Sequence, residues 1–110
     1  MSDAVPTLPV ALVGLGEIGR TAHLPALRRH PIATPVLIVD PSAERRALAG
    51  DVPTAPDIDA VLADETIRAV VVATPPWVTT PLAARILATG RYVLAEKPIA
   101  VSSVAAKPLL

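Results

Sequence analysis

Aliphatic runs separated by polar, helix-compatible stretches set the plan of this chain. Val10 to Val13, Thr34 to Val39 and Ala69 to Ala73 are continuous apolar segments of strand length. Such runs fit parallel strands buried on both faces, not the alternation of a one-sided sheet. Between the first two lies a predicted helix from Glu17 to about Arg29. Pro25 falls inside it, where it removes the bond to the Thr21 carbonyl and should bend the axis. Arg28, Arg29 and His30 suit the negative end of the helix, and Pro31 stops it. Ser42 is placed to cap a short helix, Ala43 to Ala49, which Gly50 ends. A weak strand at Val52 to Ala55 is confined by its prolines to a sheet edge. Asp57 is placed to cap a helix over Ile58 to Ala63. After Thr74-Pro75-Pro76 comes another helix, whose start the sequence allows as late as Pro81, with Thr80 as cap and Gly90 as terminator. Tyr92 to Ala95 reads as the last strand. Strands alternating with helices predict βαβ units and a doubly wound α/β sheet in the order 3-2-1-4-5. The divisions expected are a leader at 1–9, one domain at 10–100 and a tail at 101–110.

Composition adds exclusions. The chain has 110 residues, a single-domain length, and no Phe, one Trp and one Tyr, so the core must be aliphatic. Formal net charge is zero, which gives no reason to expect nucleic acid or an anionic membrane as partner. Without cysteine there is no disulfide, thiolate nucleophile or cysteine zinc site. The two histidines have no metal-ligand partner at useful spacing, and His23 reads as a packing or hydrogen-bonding residue. The start of the chain lacks a basic signal-peptide region, and no apolar run approaches the roughly 20 residues of a membrane span. A soluble, cytoplasmic protein is expected.

Chemistry enters at Gly14-Leu15-Gly16-Glu17-Ile18-Gly19, directly after the first strand and before the first helix. In that context the spacing signals dinucleotide binding. Gly14 permits the tight turn, Gly16 the close approach of a pyrophosphate, and Gly19 close helix–strand packing. Glu17 and Ile18 carry the backbone of the helix start, whose N–H groups and dipole favour phosphate. Asp40 ends the second strand about 20 residues further on, where a carboxylate accepts from the adenosine ribose hydroxyls and repels a 2′-phosphate. That favours NAD over NADP. Asp40 also has a plainer reading as a strand-end cap. Arg45 and Arg46 are near enough in sequence to blunt the preference for NAD, although the short helix is expected to turn them to solvent.

A second constellation runs from Val70-Val71-Val72-Ala73-Thr74-Pro75-Pro76 through Gly90 to Glu96-Lys97-Pro98. With the glycine turn and His23-Leu24-Pro25-Ala26-Leu27, it resembles the Gfo/Idh/MocA oxidoreductases over about Val10 to Ala100. The resemblance implies a Rossmann-like fold binding NAD(P). Thr74 and Pro75 would shape the loop beside the nicotinamide ribose, and Glu96 and Lys97 would lie near nicotinamide and substrate. Lys97 is the implied catalytic residue, binding a sugar or polyol and assisting proton transfer as hydride moves. The chain departs from the pattern in two places. Trp77-Val78-Thr79-Thr80-Pro81 stands where relatives often carry a histidine, and Trp77 reads as a pocket-rim or interdomain residue. The family's large C-terminal α/β domain, which supplies the substrate floor, has no counterpart before Leu110. The expectation is a catalytically incomplete cofactor domain. The alternative is a non-catalytic nucleotide-binding module, or half of a split enzyme completed by a separately encoded partner. An unpaired Tyr92-Val93-Leu94 edge predicts self-association, a partner chain or poor solubility.

Overall fold

A computed structural model describes residues 7–95. Five parallel strands form one sheet in the order β3-β2-β1-β4-β5. They are β1 (Leu8–Val13), β2 (Ala33–Val39), β3 (Thr54–Ala55), β4 (Ala69–Val72) and β5 (Tyr92–Ala95). The predicted order holds, and β3 is the edge strand its prolines require. β1 starts earlier than its apolar run, at Leu8, because the Leu8 N–H donates to the Ile32 carbonyl at 2.9 Å. Pro9 is tolerated there because β1 pairs with β4 only from Val10 onward, so its missing N–H leaves no rung unfilled on that side. Pro35 has the complementary effect. Val10 pairs with Pro35 but Ala11 with Leu37, so β2 bulges at Val36.

Both faces of the sheet are buried against helices. On one side Val13, Val39, Val70 and Val72 pack with Ile58, Val61 and Ile86 from α3 (Asp59–Leu62), α4 (Pro76–Leu87) and their flanks. On the other, Val10, Leu12, Ile38 and Val71 pack with Leu15 and with Leu24 of α1 (Leu24–Arg29). Continuous valine runs are what two covered faces demand. β5 is the exception: Tyr92 and Leu94 are exposed among the described residues.

One proline effect differs from expectation. Pro25 does not simply bend the first helix. The chain widens into a π-helical turn, Gly19–His23, closed by the Leu24 N–H on the Gly19 carbonyl, and α1 restarts with Pro25 in its first turn. One extra residue per turn takes the proline ring away from the Thr21 carbonyl, where an α-helix would force a clash. α4 begins at Pro76, the early end of the range the sequence allows, and contains Pro81. Pro81 and Trp77 are both exposed, and Pro81 is the residue that cannot donate to the Trp77 carbonyl.

The amino ends of β4 and β5 are tied by Arg91, which is buried. Its Nε donates to the Ile67 carbonyl at 2.7 Å, and Nη2 donates to those of Val61 and Asp64 at 3.1 and 3.0 Å. A cation here satisfies the last carbonyls of α3 and opposes its negative end. Beside it, the Asp64 carboxyl is held below its usual range, chiefly by the Thr66 hydroxyl that donates to it at 2.6 Å. Replacing Arg91 by Met should remove the donor from the Ile67 carbonyl, while the Val61 and Asp64 carbonyls keep the Asp64 and Ile67 N–H groups, and cost about 1–3 kcal/mol. In urea unfolding the midpoint should fall with an unchanged slope, and a loss under ~0.5 kcal/mol would refute the staple role.

Candidate cofactor-binding site

The glycine turn leaves β1 at the centre of the sheet, between β2 and β4, at their carboxyl ends. This is the switch point at which ligands of open α/β sheets bind. Gly14 has φ +99°, and a Cβ there would lie 2.5 Å from the Ala73 carbonyl oxygen. Gly19 has ordinary backbone, but a Cβ would stand 2.1 Å from the Gly14 carbonyl oxygen. Backbone cannot yield at such a distance, so the turn folds onto itself only with glycine at both ends. Gly16 is different: the nearest atom to its hypothetical Cβ is Arg45 Nη1, at 3.9 Å. The space beside Gly16 is open toward the cleft.

Asp40 holds this turn in place. It is 2% exposed. Its Oδ2 accepts from the Leu15 N–H at 2.9 Å and its Oδ1 from the Ser42 N–H at 2.8 Å. The Gly14 N–H donates to the Val39 carbonyl at 2.7 Å, so the turn is bonded twice to the end of β2. A carboxylate offers about four acceptor positions, and these two bonds leave two for a ligand. The strand-end role of Asp40 is therefore filled within the chain, and its capacity for ribose hydroxyls survives beside it.

Across the cleft, the Thr74 and Thr79 hydroxyls share a hydrogen bond of 2.7 Å, and the buried Thr79 Oγ1 lies 2.7 Å from the Thr74 carbonyl oxygen and 3.1 Å from that of Pro75. This clamp fixes the Thr74-Pro75 corner at the entry to α4. Gly14, Gly16, Asp40, Thr74 and Pro75 thus line one cleft of about 470 Å³. Its far wall is formed by the apolar Pro56, Ile58, Val78 and Leu82 together with Asp57 and Arg85. Gly19 lies behind the turn as packing. Glu17 and Ile18 are exposed at the helix start, outside the cleft lining. The helix opens with the bond from the Arg20 N–H to the Gly16 carbonyl at 2.9 Å, so the amides of residues 17–19 precede any intrahelical acceptor. Glu96 and Lys97 lie outside the described residues. Trp77 is 72% exposed and does not line the cleft.

The sequence did not reveal two features. Val78 and Leu82 recur at i and i+4 on α4, a pattern legible only once the helix is known to start at Pro76. Arg45 is exposed, as expected, and its Nη1 also stands 3.9 Å from Asp40 Oδ2 on the cleft lining. Among the described residues no helix is long and apolar enough to cross a membrane.

A glycine turn with an open middle position, a carboxylate at the next strand end and an elongated cleft over the switch point define a dinucleotide-binding α/β domain. The model of the Gfo/Idh/MocA family, described as an oxidoreductase family with an NAD-binding Rossmann fold, matches residues 8–110, and the chain belongs to that family. A protein of Amycolatopsis mediterranei (strain S699), named for the oxidoreductase subunit of UDP-kanosamine synthase, is 41% identical over 96 residues, covering 84% of this chain and 26% of its own length. The dTDP-3,4-didehydro-2,6-dideoxy-alpha-D-glucose 3-reductase of Streptomyces antibioticus is 32% identical, covering 96% of this chain and 33% of its own. Among solved structures, GenD2 from gentamicin A biosynthesis, in complex with NAD, has a TM-score of 0.89 at 38% identity, over 98% of this chain and 32% of that one. A variant of KijD10, a 3-ketoreductase from Actinomadura kijaniata in complex with TDP-benzene and NADP, has a TM-score of 0.81 at 26% identity, over 94% and 34%. The chain therefore spans about a third or less of the length of these relatives.

Two substitutions separate scaffold from ligand contact. Gly19→Ala should abolish cooperative folding, whereas Gly16→Ala should leave the thermal midpoint within a few degrees, as circular dichroism would show; equal effects would contradict the packing described. Asp40→Asn replaces one of two oxygens that both accept from backbone N–H with a donor. It should destabilise the domain by about 1–3 kcal/mol in denaturant titration, and a neutral result would remove the carboxylate from its bridging role.

Proposed function

We propose that the cleft binds NAD(H) as the cofactor site of an oxidoreductase acting on a sugar or a nucleotide-linked sugar. The observation that carries the reading is the conjunction of an uncrowded Gly16 with the bridged Asp40 on one cleft wall. The pyrophosphate would lie against the Gly16 backbone and the amides of residues 17–19, where unpaired donors and the helix dipole favour negative charge. The adenosine ribose would reach the remaining acceptor positions of Asp40. The adenine would occupy the apolar wall of Val78, Leu82 and Ile58. The nicotinamide ribose would face the Thr74-Pro75 corner, which the Thr79 clamp holds rigid. A bound nicotinamide supplies the hydride donor or acceptor; this chain supplies the orientation.

NAD is the cofactor favoured over NADP, since a buried, doubly hydrogen-bonded carboxylate at the ribose opposes a second negative group. The sugar class is inferred from the names of the relatives, which print UDP-kanosamine and a dTDP-linked dideoxy-glucose. In the same reading Lys97 is the group that holds substrate and assists proton transfer, with Glu96 beside it.

Fluorescence or calorimetric titration of the purified chain with NADH tests the reading. Saturable one-to-one binding is expected, weakened about tenfold or more by Gly16→Ala, a loss of about 1.4 kcal/mol or more. Absence of binding by the folded wild-type chain, or a Gly16→Ala affinity equal to wild type, would refute it.

A further inference from the structure

Thr79, in the first turn of α4, is 1% exposed. Its Oγ1 meets two oxygens at 2.7 Å, the carbonyl and the hydroxyl of Thr74. Each distance is that of an O–H···O bond, so each contact needs a hydrogen between its oxygens. A carbonyl supplies none and a hydroxyl supplies one. The Thr79 hydroxyl hydrogen therefore goes to the Thr74 carbonyl. The Pro75 carbonyl, 3.1 Å away, already accepts the Val78 and Thr79 N–H groups at 2.9 Å. The hydrogen between the two hydroxyls is then the one carried by Thr74. Thr74 is half-buried and lines the cleft, yet its hydroxyl hydrogen is spent inward on Thr79. Lone pairs are what it has left for the cleft.

The cleft mouth is thereby ordered by hydrogen-bond sense. At the end of β2, before α2 (Ala43–Arg46), the Asp40 carboxylate accepts. At the end of β1, the amides of residues 17–19 donate. At the end of β4, Thr74 accepts. Because β1 lies between β2 and β4, the order across the sheet is acceptor, donor, acceptor. A ribose–pyrophosphate–ribose chain offers hydroxyl hydrogens, phosphate oxygens and hydroxyl hydrogens in the same order. We propose that Thr79 makes Thr74 an obligate acceptor, so that the ribose carrying nicotinamide is held through an O–H that it donates, and groups that only accept are refused on this wall. Thr79 acts through Thr74 and is a positioning residue. The inference rests on the cofactor reading above and adds to it the sense of one hydrogen bond and the residue that sets it.

Two NAD analogues provide the test, with fluorine in place of the 2′- or the 3′-hydroxyl of the nicotinamide ribose; fluorine accepts weakly and cannot donate. Calorimetric titration compares each with NAD for wild type, Thr79→Val and Thr79→Ser, and thermal melts report folding. Wild type should bind at least one analogue about tenfold or more weakly than NAD. Thr79→Val, close in shape but without the hydroxyl, frees the Thr74 hydrogen to turn to the cleft. Its preference for NAD over that analogue should shrink about threefold or more, whereas Thr79→Ser should keep the wild-type ratio. If Thr79→Val does not fold, Thr74→Val, which removes the acceptor itself, takes its place, and the ratio should fall to about one. An unchanged ratio in the folded valine variant would overturn the proposal. So would a Thr79→Ser ratio equal to that of Thr79→Val, or equal binding of NAD and both analogues by wild type; in each of these cases the cofactor reading stands. Failure of the folded wild type to bind NAD would overturn both.

Discussion

One buried carboxylate accepting two backbone amides is the interaction on which the site depends. Asp40 draws the Leu15 N–H from the first crossover and the Ser42 N–H from the second. Two turns that belong to different βαβ units therefore share one anchor at the carboxyl edge of the sheet. A neutral side chain of similar size cannot replace it, since both oxygens are acceptors and an amide offers one. The bridge fixes the glycine turn relative to β2, and the steric demands of Gly14 and Gly19 fix it relative to β4 and to its own helix. What remains open is the space beside Gly16. The place for a ligand thus follows from what the scaffold has already filled.

The two ends of the sheet divide the labour. At the amino ends of β4 and β5, Arg91 gathers carbonyls from the end of α3 and the strand entry, and its charge is spent on structure. At the carboxyl ends, Arg45 is held in position through its backbone but its guanidinium faces the cleft. The same residue type is a staple in one place and a cleft-lining group in the other. The difference lies in which acceptors the fold brings within hydrogen-bond distance.

Much of the fold was legible because valine runs buried on both faces have few alternatives to a parallel sheet, and crossover handedness leaves one natural order. The glycine turn was legible for a similar reason, since each glycine answers a local steric demand. Proline effects were harder to place. Pro25 pointed to a distortion but not to a π-helical turn, and Pro81 left the start of the following helix open between Pro76 and Pro81. Arg45 is exposed as the sequence suggested, whereas Arg46 turns back to the Asp40 carbonyl, which nothing in the spacing shows. Arg91 carried no signal at all, its partners being carbonyls 24 to 30 residues distant. Glu96-Lys97-Pro98, which carried much of the resemblance, lies outside the described residues, so its role rests on the family pattern.

The central claim is that a dinucleotide lies across the carboxyl ends of β1, β2 and β4. Amide chemical-shift mapping of the labelled chain during NAD titration tests it most directly. The account predicts saturable shifts for residues 14–20, 40–45 and 73–79, with the amides around Arg91 unmoved. Shifts confined to the Arg91 end of the sheet, or none at saturating NAD, would contradict it.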